Sequence, residues 1–396
     1  MSIHTDPVVI VAARRTPIGT FQGQFSSLSA PQLAASAIAA AVANSGVKPE
    51  DISEALIGCV LPAGVGQAPA RQALLGAGLP NSIPCTTVNK VCGSGMKTVM
   101  LGHDQILAGA ADVVIAGGME SMSNAPYMLP NARSGYRLGH GQVLDHMIND
   151  GLQNPYDNEL MGVFAENCAD KYGFTREQQD VFAITSVRRA MRAMSDGAFA
   201  TEIASVKVTD RKGDVEFSSD ETPPNCNIEK IPALKPAFRR DGGTVTPANS
   251  SSISDGAAAL VLMRESDAIA RGLEPLARML GHTTFAQEPE WFTTAPVGAI
   301  NQLQRKLGWA TADVDLYEIN EAFAVVTMAA MRDLELDPEK VNVNGGACAL
   351  GHPIGASGAR IIVTLIHALR NRGGKRGIAS LCLGGGEATA VALEIV

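Results

Sequence analysis

An internal repeat constrains the fold of this 396-residue chain more than any other feature of its sequence. In the first half, a Val-Asn pair precedes a glycine-rich turn, a predicted helix and a predicted strand, at Val88-Asn89, 92–95, 96–108 and 112–118. The second half repeats this order at similar spacing, at Val343-Asn344, 351–358, 359–370 and 377–383. A duplication of this kind predicts two related halves whose equivalent loops meet, so a site at their junction would draw residues from both.

The pattern of apolar residues predicts an α/β fold. Short apolar runs, typical of buried strands, are found at 8–13, 52–60, 112–118, 315–319 and 377–383. Longer patterns with helical periodicity lie between them, for example at 31–45 and 356–371. This alternation favours layers in which helices cover a sheet.

A central segment interrupts the alternation. Residues 121–249 are rich in Met, Asn, Pro and charged side chains, and they contain amphipathic helical patterns at 158–172 and 176–196. We interpret the segment as an inserted domain that covers one mouth of the site. Its polar stretch 131–139 suits an exposed excursion or a contact between subunits.

Composition and charge exclude several functional classes. Hydrophobic residues make up 46% of the chain and charged residues 18%, which fits two or more packed units and argues against disorder. The formal net charge of −8 argues against nucleic acid as a partner. Apolar runs stay below membrane-spanning length, and residues 1–7 lead straight into the first predicted strand. We therefore expect a soluble, unexported, cytoplasmic protein without a membrane partner.

The cysteine count argues against a disulfide framework or a metal centre. The seven cysteines are widely spaced, so we expect reduced thiols. Five of them lack the paired spacing of a zinc site: Cys59, Cys85, Cys168, Cys226 and Cys348. We predict no metal ligands. Six histidines have no local partner pattern and are interpreted as structural or exposed: His4, His103, His140, His146, His282 and His367.

Cys92 is a candidate nucleophile because it precedes the predicted helix 96–108. A thiol at a helix N-terminus faces the positive end of the helix dipole, which favours the thiolate. The glycines around it would let a substrate carbonyl approach backbone N–H groups that act as an oxyanion hole. From this motif alone, a buried structural cysteine is the alternative interpretation.

His352 is a candidate base for that thiol. It lies between Gly351 and Pro353 in a glycine-rich loop ahead of a predicted helix, where the imidazole would point into a cleft. A histidine next to a cysteine follows the logic of covalent catalysis. For an isolated histidine, a capping or buried hydrogen-bonded role would be the alternative.

Two further candidates follow predicted strands. Cys382 opens the sequence Cys-Leu-Gly-Gly-Gly, where a second thiol could take a proton from a substrate carbon and freed N–H groups could bind an anionic oxygen. Asn320 follows the predicted strand 315–319, and its amide could hold a water or contact an enolate oxygen. The alternatives are a small hydrophobic residue at a strand end and a helix N-cap.

Taken together, these motifs resemble the thiolase family, most closely its acetyl-CoA acetyltransferase branch. The resemblance runs nearly end to end, through Arg15–Gly19, Val88–Gly95, Gly117–Ser123, Asn320–Ala324, Gly351–Gly358 and Cys382–Gly386. Several separate motifs in the right order are far more specific than any one of them.

The resemblance implies an architecture. It implies a five-layer αβαβα core of duplicated halves, in which 1–122 and 250–274 form the N-terminal half and 275–396 the C-terminal half. Residues 123–249 would form the loop domain over the active site. The family also implies a homotetramer built as a dimer of dimers, a role in fatty acid metabolism, and coenzyme A thioesters as substrates without a tightly bound cofactor.

The resemblance also implies roles for the candidate residues. Cys92 would take the acyl group after His352 accepts its proton, and Cys382 would deprotonate the second acetyl-CoA. The carbanion would attack the acyl-cysteine to give acetoacetyl-CoA and free CoA. One oxygen would contact His352 and a water held by Asn320, and the acyl-enzyme oxygen would contact the N–H groups of Cys92 and Gly384.

Five residues match the family's substrate tunnel: Ser251 at the pantetheine arm, with Leu152, Leu160, Met161 and Phe323 as apolar lining. Three departures from the family pattern stand out. Leu160 occupies a place where many acetoacetyl-CoA thiolases have histidine, and Pro247 replaces a small residue. The stretch 220–225 lacks the arginine often found near the nucleotide end of CoA, for which Lys230, Lys235 or Arg239 could substitute.

Two alternatives to an acetyl-CoA C-acetyltransferase stay open at this point. A 3-ketoacyl-CoA thiolase with broader or longer chain specificity is favoured by Leu160. A non-catalytic acyl-CoA-binding member of the fold is the other, although Cys92, His352 and Cys382 are all present.

Overall fold

The computed structural model describes residues 6–210 and 213–396. Residues 1–5, which include His4 and most of the segment predicted to lead into the first strand, lie outside the described residues. The strands are β1 Val8–Arg15, β2 Gly19–Thr20, β3 Glu54–Gly58, β4 Cys85–Val88, β5 Val113–Ser121, β6 Tyr127–Met128, β7 Leu144–Asp145, β8 Val206–Asp210, β9 Gly213–Phe217, β10 Ser254–Arg264, β11 Ala277–Ala286, β12 Leu316–Ile319, β13 Arg376–Leu383 and β14 Glu387–Ile395.

The α-helices are α1 Ala30–Ser45, α2 Pro69–Gly76, α3 Ser94–Leu107, α4 Met161–Tyr172, α5 Arg176–Ser195, α6 Thr222–Asn225, α7 Glu265–Ala270, α8 Ala295–Leu307, α9 Ala324–Asp333, α10 Ala347–Leu350 and α11 Ile354–Arg372. Short 3₁₀ turns lie at Pro49–Asp51, Met122–Asn124, Ile228–Ala233, Pro289–Thr294, Thr311–Asp313 and Pro338–Lys340, and a π turn lies at Ile148–Leu152. Among the described helices, none is long and apolar enough to cross a membrane.

The two halves form two sheets that join along one short edge. In the described part of the chain, the N-terminal half contributes the order β4-β3-β5-β10-β1 and the C-terminal half the order β11-β14-β13-β12. The join is brief, since β1 and β11 pair only through Val9 with Arg278 and Ile10 with Ala277. The central strands are buried on both faces, which explains why they appear in the sequence as continuous apolar runs.

Helices α3 and α11 form the middle layer, between the two sheets. Every residue of α11 from Ile354 to Leu369 is buried, as expected of a helix covered on all sides. The two helices cross through glycines: a Cβ on Gly358 would lie 2.4 Å from the Met96 nitrogen, and a Cβ on Gly95 would lie 2.8 Å from the Ala359 nitrogen. Only glycine fits this crossing, which brings the N-terminal ends of both helices together.

The outer faces of the sheets carry the remaining layers. Helices α1 and α2 pack on the N-terminal sheet, and α8 and α9 pack on the C-terminal sheet. The order is therefore helices, sheet, helices, sheet, helices, which confirms the predicted five-layer α/β architecture. In the first half, the repeat predicted from the sequence corresponds to the unit β4-α3-β5. In the second half, it corresponds to α11 with the neighbouring strands β12 and β13, although Val343 lies in a loop.

The segment between β5 and β10 packs over the junction of the two halves. Its helix α4 joins a cluster with α9 through Phe164, Phe323 and Val326. The buried Glu166 carboxylate accepts hydrogen bonds from the Thr244 and Val245 N–H groups, which fastens the chain that leads back into β10.

Two element boundaries differ from prediction for local reasons. Helix α4 begins three residues later than the pattern predicts, because Asn158 has φ +63° and Leu160 is an extended N-cap. Strand β5 continues beyond 118 to Ser121 and therefore carries Glu120 into the core.

Candidate active site

A mostly apolar cavity of about 400 Å³ lies where the two halves and the inserted segment meet. Nine of the ten predicted site residues line it: Cys92, Leu152, Leu160, Met161, Ser251, Phe323, His352, Cys382 and Gly384. The tenth, Asn320, lies behind His352. The structure thus brings together side chains that are up to 290 positions apart in the sequence (Cys382 − Cys92).

A tight turn presents Cys92 at the head of α3. Within it, the Asn89 side chain accepts from the Val91 N–H (2.9 Å), and the Ser94 hydroxyl donates to the Val91 carbonyl (2.6 Å). Val91 has φ +47°, a left-handed conformation that is costly for a β-branched residue and is held here by these bonds. The turn places the Cys92 side chain in the wall of the cavity, at the edge of the hydrophobic core.

The thiol of Cys92 is protonated in the resting protein. Burial raises its pKa to about 11, and this outweighs the backbone N–H groups of Gly384 and Cys92, which lower it. The N–H groups at the start of α3 act in the direction expected from the sequence, toward the thiolate, but burial has the larger effect. Proton removal must be part of the reaction.

His352 is held in one tautomer that suits this task. The Ser357 hydroxyl donates its single hydrogen to the Pro353 carbonyl (3.0 Å), so its oxygen accepts from His352 Nδ1–H (2.5 Å). On the other side of the ring, the Asn320 amide lies 3.4 Å from Nε2 and donates to it. Both partners require a lone pair on Nε2. Burial, and then the positive charge of Arg360, lowers the pKa of His352 to about 3, so the ring is neutral.

The loop that carries His352 is fixed to the end of the inserted segment. The His352 N–H donates to the Ser252 carbonyl (3.0 Å). Gly351 has φ +106°, and a Cβ there would lie 2.2 Å from the Ser254 hydroxyl oxygen, so the loop requires glycine. The loop that carries His352 and the inserted segment that covers the cavity are therefore positioned together.

Cys382 lies at the end of β13 and is 1% exposed. Burial, followed by the neighbouring Cys92, raises the pKa of its thiol well above the ordinary value. Both thiols line the same cavity. Gly385 and Gly386 follow with φ of +90° and +85°, which turns the chain sharply into β14 and leaves the Gly384 N–H directed at Cys92.

Asn320 is not a helix cap, because the N-cap of α9 is Phe323. Its backbone N–H donates to the Ser380 carbonyl (3.0 Å), and its side-chain oxygen is buried without a hydrogen-bond partner among the described residues. A buried amide oxygen of this kind requires a donor, such as a water. The N-cap alternative is thus excluded. Asn320 instead provides a polar acceptor, its side-chain oxygen, near the imidazole.

The substrate-side residues form a tunnel wall. Ser251 donates both its N–H and its hydroxyl to the Ala322 carbonyl (3.0 Å each), which pins the loop beside Phe323. Pro247 also lines the cavity. Of the three cations named as substitutes for the missing arginine, Arg239 is engaged by Asp170 (2.7 Å) and Asn167.

Sequence reasoning missed two polar residues that support the site. Ser357 was treated only as part of the glycine-rich loop. Glu120 is fully buried, and its carboxylate accepts from the N–H groups of Val60 (3.0 Å), Leu61 (3.1 Å) and Gly355 (2.9 Å). The sequence signal that could have identified Glu120 is the presence of a glutamate in the otherwise apolar strand β5. A buried acid in such a place needs specific hydrogen-bond donors.

Comparisons with known proteins agree with this geometry. The family model described as thiolase, N-terminal domain, matches residues 8–266, and the model of the thiolase C-terminal domain matches residues 273–395. An acetyl-CoA acetyltransferase of Chromobacterium violaceum is 50% identical over 389 residues, which covers 98% of this chain and 99% of that protein. Acetyl-CoA acetyltransferase 2 of Arabidopsis thaliana is 51% identical over 397 residues, covering 100% and 98% respectively.

Two solved structures show the same fold. A thiolase from Ascaris suum in complex with coenzyme A superposes with a TM-score of 0.93 at 43% identity, covering 98% of this chain and 100% of that one. The acetyl-CoA acetyltransferase of Bacillus anthracis superposes with a TM-score of 0.96 at 43% identity, covering 99% of both.

Proposed function

The chain belongs to the thiolase family of acyltransferases, and from this premise we propose that it catalyses the reversible condensation of two acetyl-CoA molecules to acetoacetyl-CoA and CoA. One observation carries the proposal. Two protonated thiols and a neutral imidazole, whose Nε2 carries no proton, meet at one apolar cavity beside the Gly384 N–H. A single-thiol acyl carrier would not need the second sulfur.

The first half-reaction transfers an acetyl group to Cys92. The Cys92 proton passes to His352 Nε2 as the sulfur attacks the thioester carbon, and the oxyanion is held by the N–H groups of Cys92 and Gly384. The C–S bond to CoA breaks, and the departing sulfur takes the proton of Cys382. An acetyl-cysteine, an imidazolium and a Cys382 thiolate remain.

The second half-reaction forms the carbon–carbon bond. The Cys382 thiolate removes a proton from the methyl group of the second acetyl-CoA, whose enolate oxygen lies against the His352 imidazolium and a donor held by Asn320. The carbanion attacks the acetyl carbon and expels the Cys92 sulfur, which recovers its proton from His352. Each group ends as it began, so the same steps in reverse give thiolysis.

Cys92→Ser tests the proposal directly. After incubation with acetyl-CoA, intact-protein mass spectrometry should show one acetyl group on the parent chain and none on Cys92→Ser. Cys226→Ser, at a half-buried cysteine that does not line the cavity, is the matched control and should be acetylated like the parent. An unmodified parent chain would favour the non-catalytic alternative, and an acetylated Cys92→Ser would remove Cys92 from its role.

A longer-chain 3-ketoacyl-CoA thiolase is the second candidate, favoured by the apolar cavity wall that includes Leu160 and Met161. The comparison of kcat/KM for acetoacetyl-CoA and a 3-ketooctanoyl-CoA decides between the two. A higher value for the longer substrate would overturn the acetyl-CoA assignment, while the catalytic roles would stand.

We further propose that the chain forms a homotetramer. Large apolar side chains are exposed in the segment 127–143, most of all Leu138 at 91% and Tyr127 at 70%. A cluster of this kind on a surface loop is typical of a protein contact. A sedimentation experiment on the chain and on Leu138→Ser tests this proposal.

A cytoplasmic location is supported by the seven free thiols in the described ranges.

A further inference from the structure

Two histidines that the sequence separates by 179 positions (282 − 103) meet at one aspartate, outside the cavity described above. His103 and Asp104 lie near the end of α3, and His282 lies on β11. The Asp104 Oδ1 is 2.8 Å from His282 Nε2 and 3.3 Å from His103 Nδ1. The two imidazole rings are 5.3 Å apart and nearly perpendicular, at 89°. Interpreting these histidines separately as structural or exposed missed this cluster.

The arrangement of the three side chains suits a metal ion. One ring nitrogen of each histidine faces the Asp104 carboxylate at hydrogen-bond distance. The same nitrogens and the same oxygen would therefore face an ion placed between them, and neutral imidazole and carboxylate are ordinary ligands of divalent transition ions.

The geometry is open on one side. The side chain of Asp104 is 53% exposed, whereas those of His103 and His282 are 9% and 14% exposed, so the pair of imidazoles forms the floor and Asp104 the rim. The three potential ligand atoms lie within 4.8 Å of one another. Tetrahedral ligands at about 2.0–2.1 Å from zinc stand roughly 3.4 Å apart, so the three side chains need only small movements toward one another to close the site.

We propose that His103, Asp104 and His282 bind one borderline divalent cation of the Zn²⁺ or Co²⁺ type, with the fourth position left to solvent. Two imidazole nitrogens and one carboxylate oxygen are the donor set that these ions prefer over Mg²⁺ or Ca²⁺. Binding needs no net proton release, because each neutral ring only moves its hydrogen to the nitrogen that faces away from the ion.

The bound ion would connect the two halves of the fold. Helix α3 starts directly behind Cys92 and belongs to the N-terminal half, whereas β11 belongs to the C-terminal half. The ion would tie the far end of α3 to the opposite sheet and so oppose separation of the halves on unfolding. Lys306, which donates to the His282 carbonyl (3.3 Å), and Lys97 place positive charge nearby and limit the affinity.

The test uses the full chain after EDTA treatment and gel filtration, with Cys92 alkylated by iodoacetamide so that the cavity thiol does not compete for metal. Co²⁺ is titrated while visible absorption and calorimetry are recorded. We expect one ion per chain, visible d–d bands without a thiolate charge-transfer band, and a Tm higher by roughly 2–5 °C at saturating Co²⁺.

Variants locate the ion. Asp104→Asn and His282→Gln should each weaken Co²⁺ binding by about tenfold or more. His140→Gln, at an exposed histidine that does not belong to the cluster, is the matched control and should bind like the parent. Asp104 is half exposed, so its variant will fold even if His282→Gln does not. The proposal is overturned by equal affinity in Asp104→Asn and His140→Gln, by a charge-transfer band that places the ion on sulfur, or by no binding at millimolar Co²⁺.

Discussion

Replacement of Ser357 by alanine tests whether the tautomer of His352 is set by its neighbours. The variant removes the only oxygen that accepts from His352 Nδ1–H in the described structure, while it leaves the helix, the cavity wall and both thiols in place. Ser357 is fully buried and does not line the cavity, so it contacts no substrate. Any loss of rate must therefore act through the imidazole.

The magnitude follows from the change in charge on the ring during the reaction. A hydrogen bond from a neutral imidazole contributes about 0.5–1.5 kcal/mol, and one from an imidazolium about 1.5–3 kcal/mol. The bond between Nδ1 and Ser357 therefore stabilises the protonated transition state by about 1.4 kcal/mol more than the resting state, which is about tenfold in rate. We expect kcat/KM to fall roughly tenfold, with KM nearly unchanged.

The assay is thiolysis of acetoacetyl-CoA, with single-turnover acetylation of Cys92 as the second readout. Ser45→Ala is the matched control, since Ser45 is also buried and hydrogen-bonded, to the Val42 carbonyl (2.8 Å), but lies at the end of the outer helix α1. Both variants should lose a similar amount of thermal stability, and only Ser357→Ala should lose rate. Equal rates in the two variants would refute the tautomer argument.

Three further predictions rest on burial. Because the pKa of Cys92 is about 11 and that of His352 about 3, iodoacetamide inactivation should rise about tenfold per pH unit between pH 7 and 10, with no plateau of thiolate reactivity near pH 5. Burial raises the pKa of Glu120 from an ordinary 4.5 to about 7, so the protein should be most stable below pH 4.5 and should lose about 3 kcal/mol of stability as the pH rises to 7. In chemical denaturation, Glu120→Gln should remove this part of the pH dependence. An unchanged pH profile in the variant would contradict the prediction. Gly358→Ala should lower the free energy of unfolding by about 1–3 kcal/mol or more because its Cβ meets backbone at 2.4 Å, whereas Gly281→Ala, with its nearest contact at 3.5 Å, should cost much less.

Much of the fold could be predicted from the sequence because its signals are local. Strand β1 and helix α1 follow from apolar periodicity, and α5 begins at a capping box of Thr175 and Gln178. The residues around the cavity could be named because each sits in a distinctive motif. Their positions in one cavity follow from the repeat, which superposes the turn before α3 on the loop before α11.

The remaining features depend on three-dimensional surroundings that no local pattern contains. The pKa of Cys92 is raised mainly by burial, which depends on residues from several parts of the chain. The roles of Ser357 and Glu120 arise from a few hydrogen bonds, one of which joins residues that are 235 positions apart in the sequence. The cluster of His103 and His282 arises only because α3 packs beside β11.

The repeat also explains how the two catalytic loops are held against each other. Glu120 and Glu387 occupy equivalent positions, each three residues after the first glycine of a Gly-Gly-x-Glu motif, and each reaches into the opposite half. Glu120 accepts from the Gly355 N–H in the loop of the base, and Glu387 pairs with Lys90 in the turn of the nucleophile. The two braces differ in strength, because Glu120 is fully buried whereas the ion pair at Glu387 is about one-third exposed and screened by water. The base loop is therefore held by a brace that water does not reach, whereas the brace on the nucleophile turn is partly exposed and weakened by solvent.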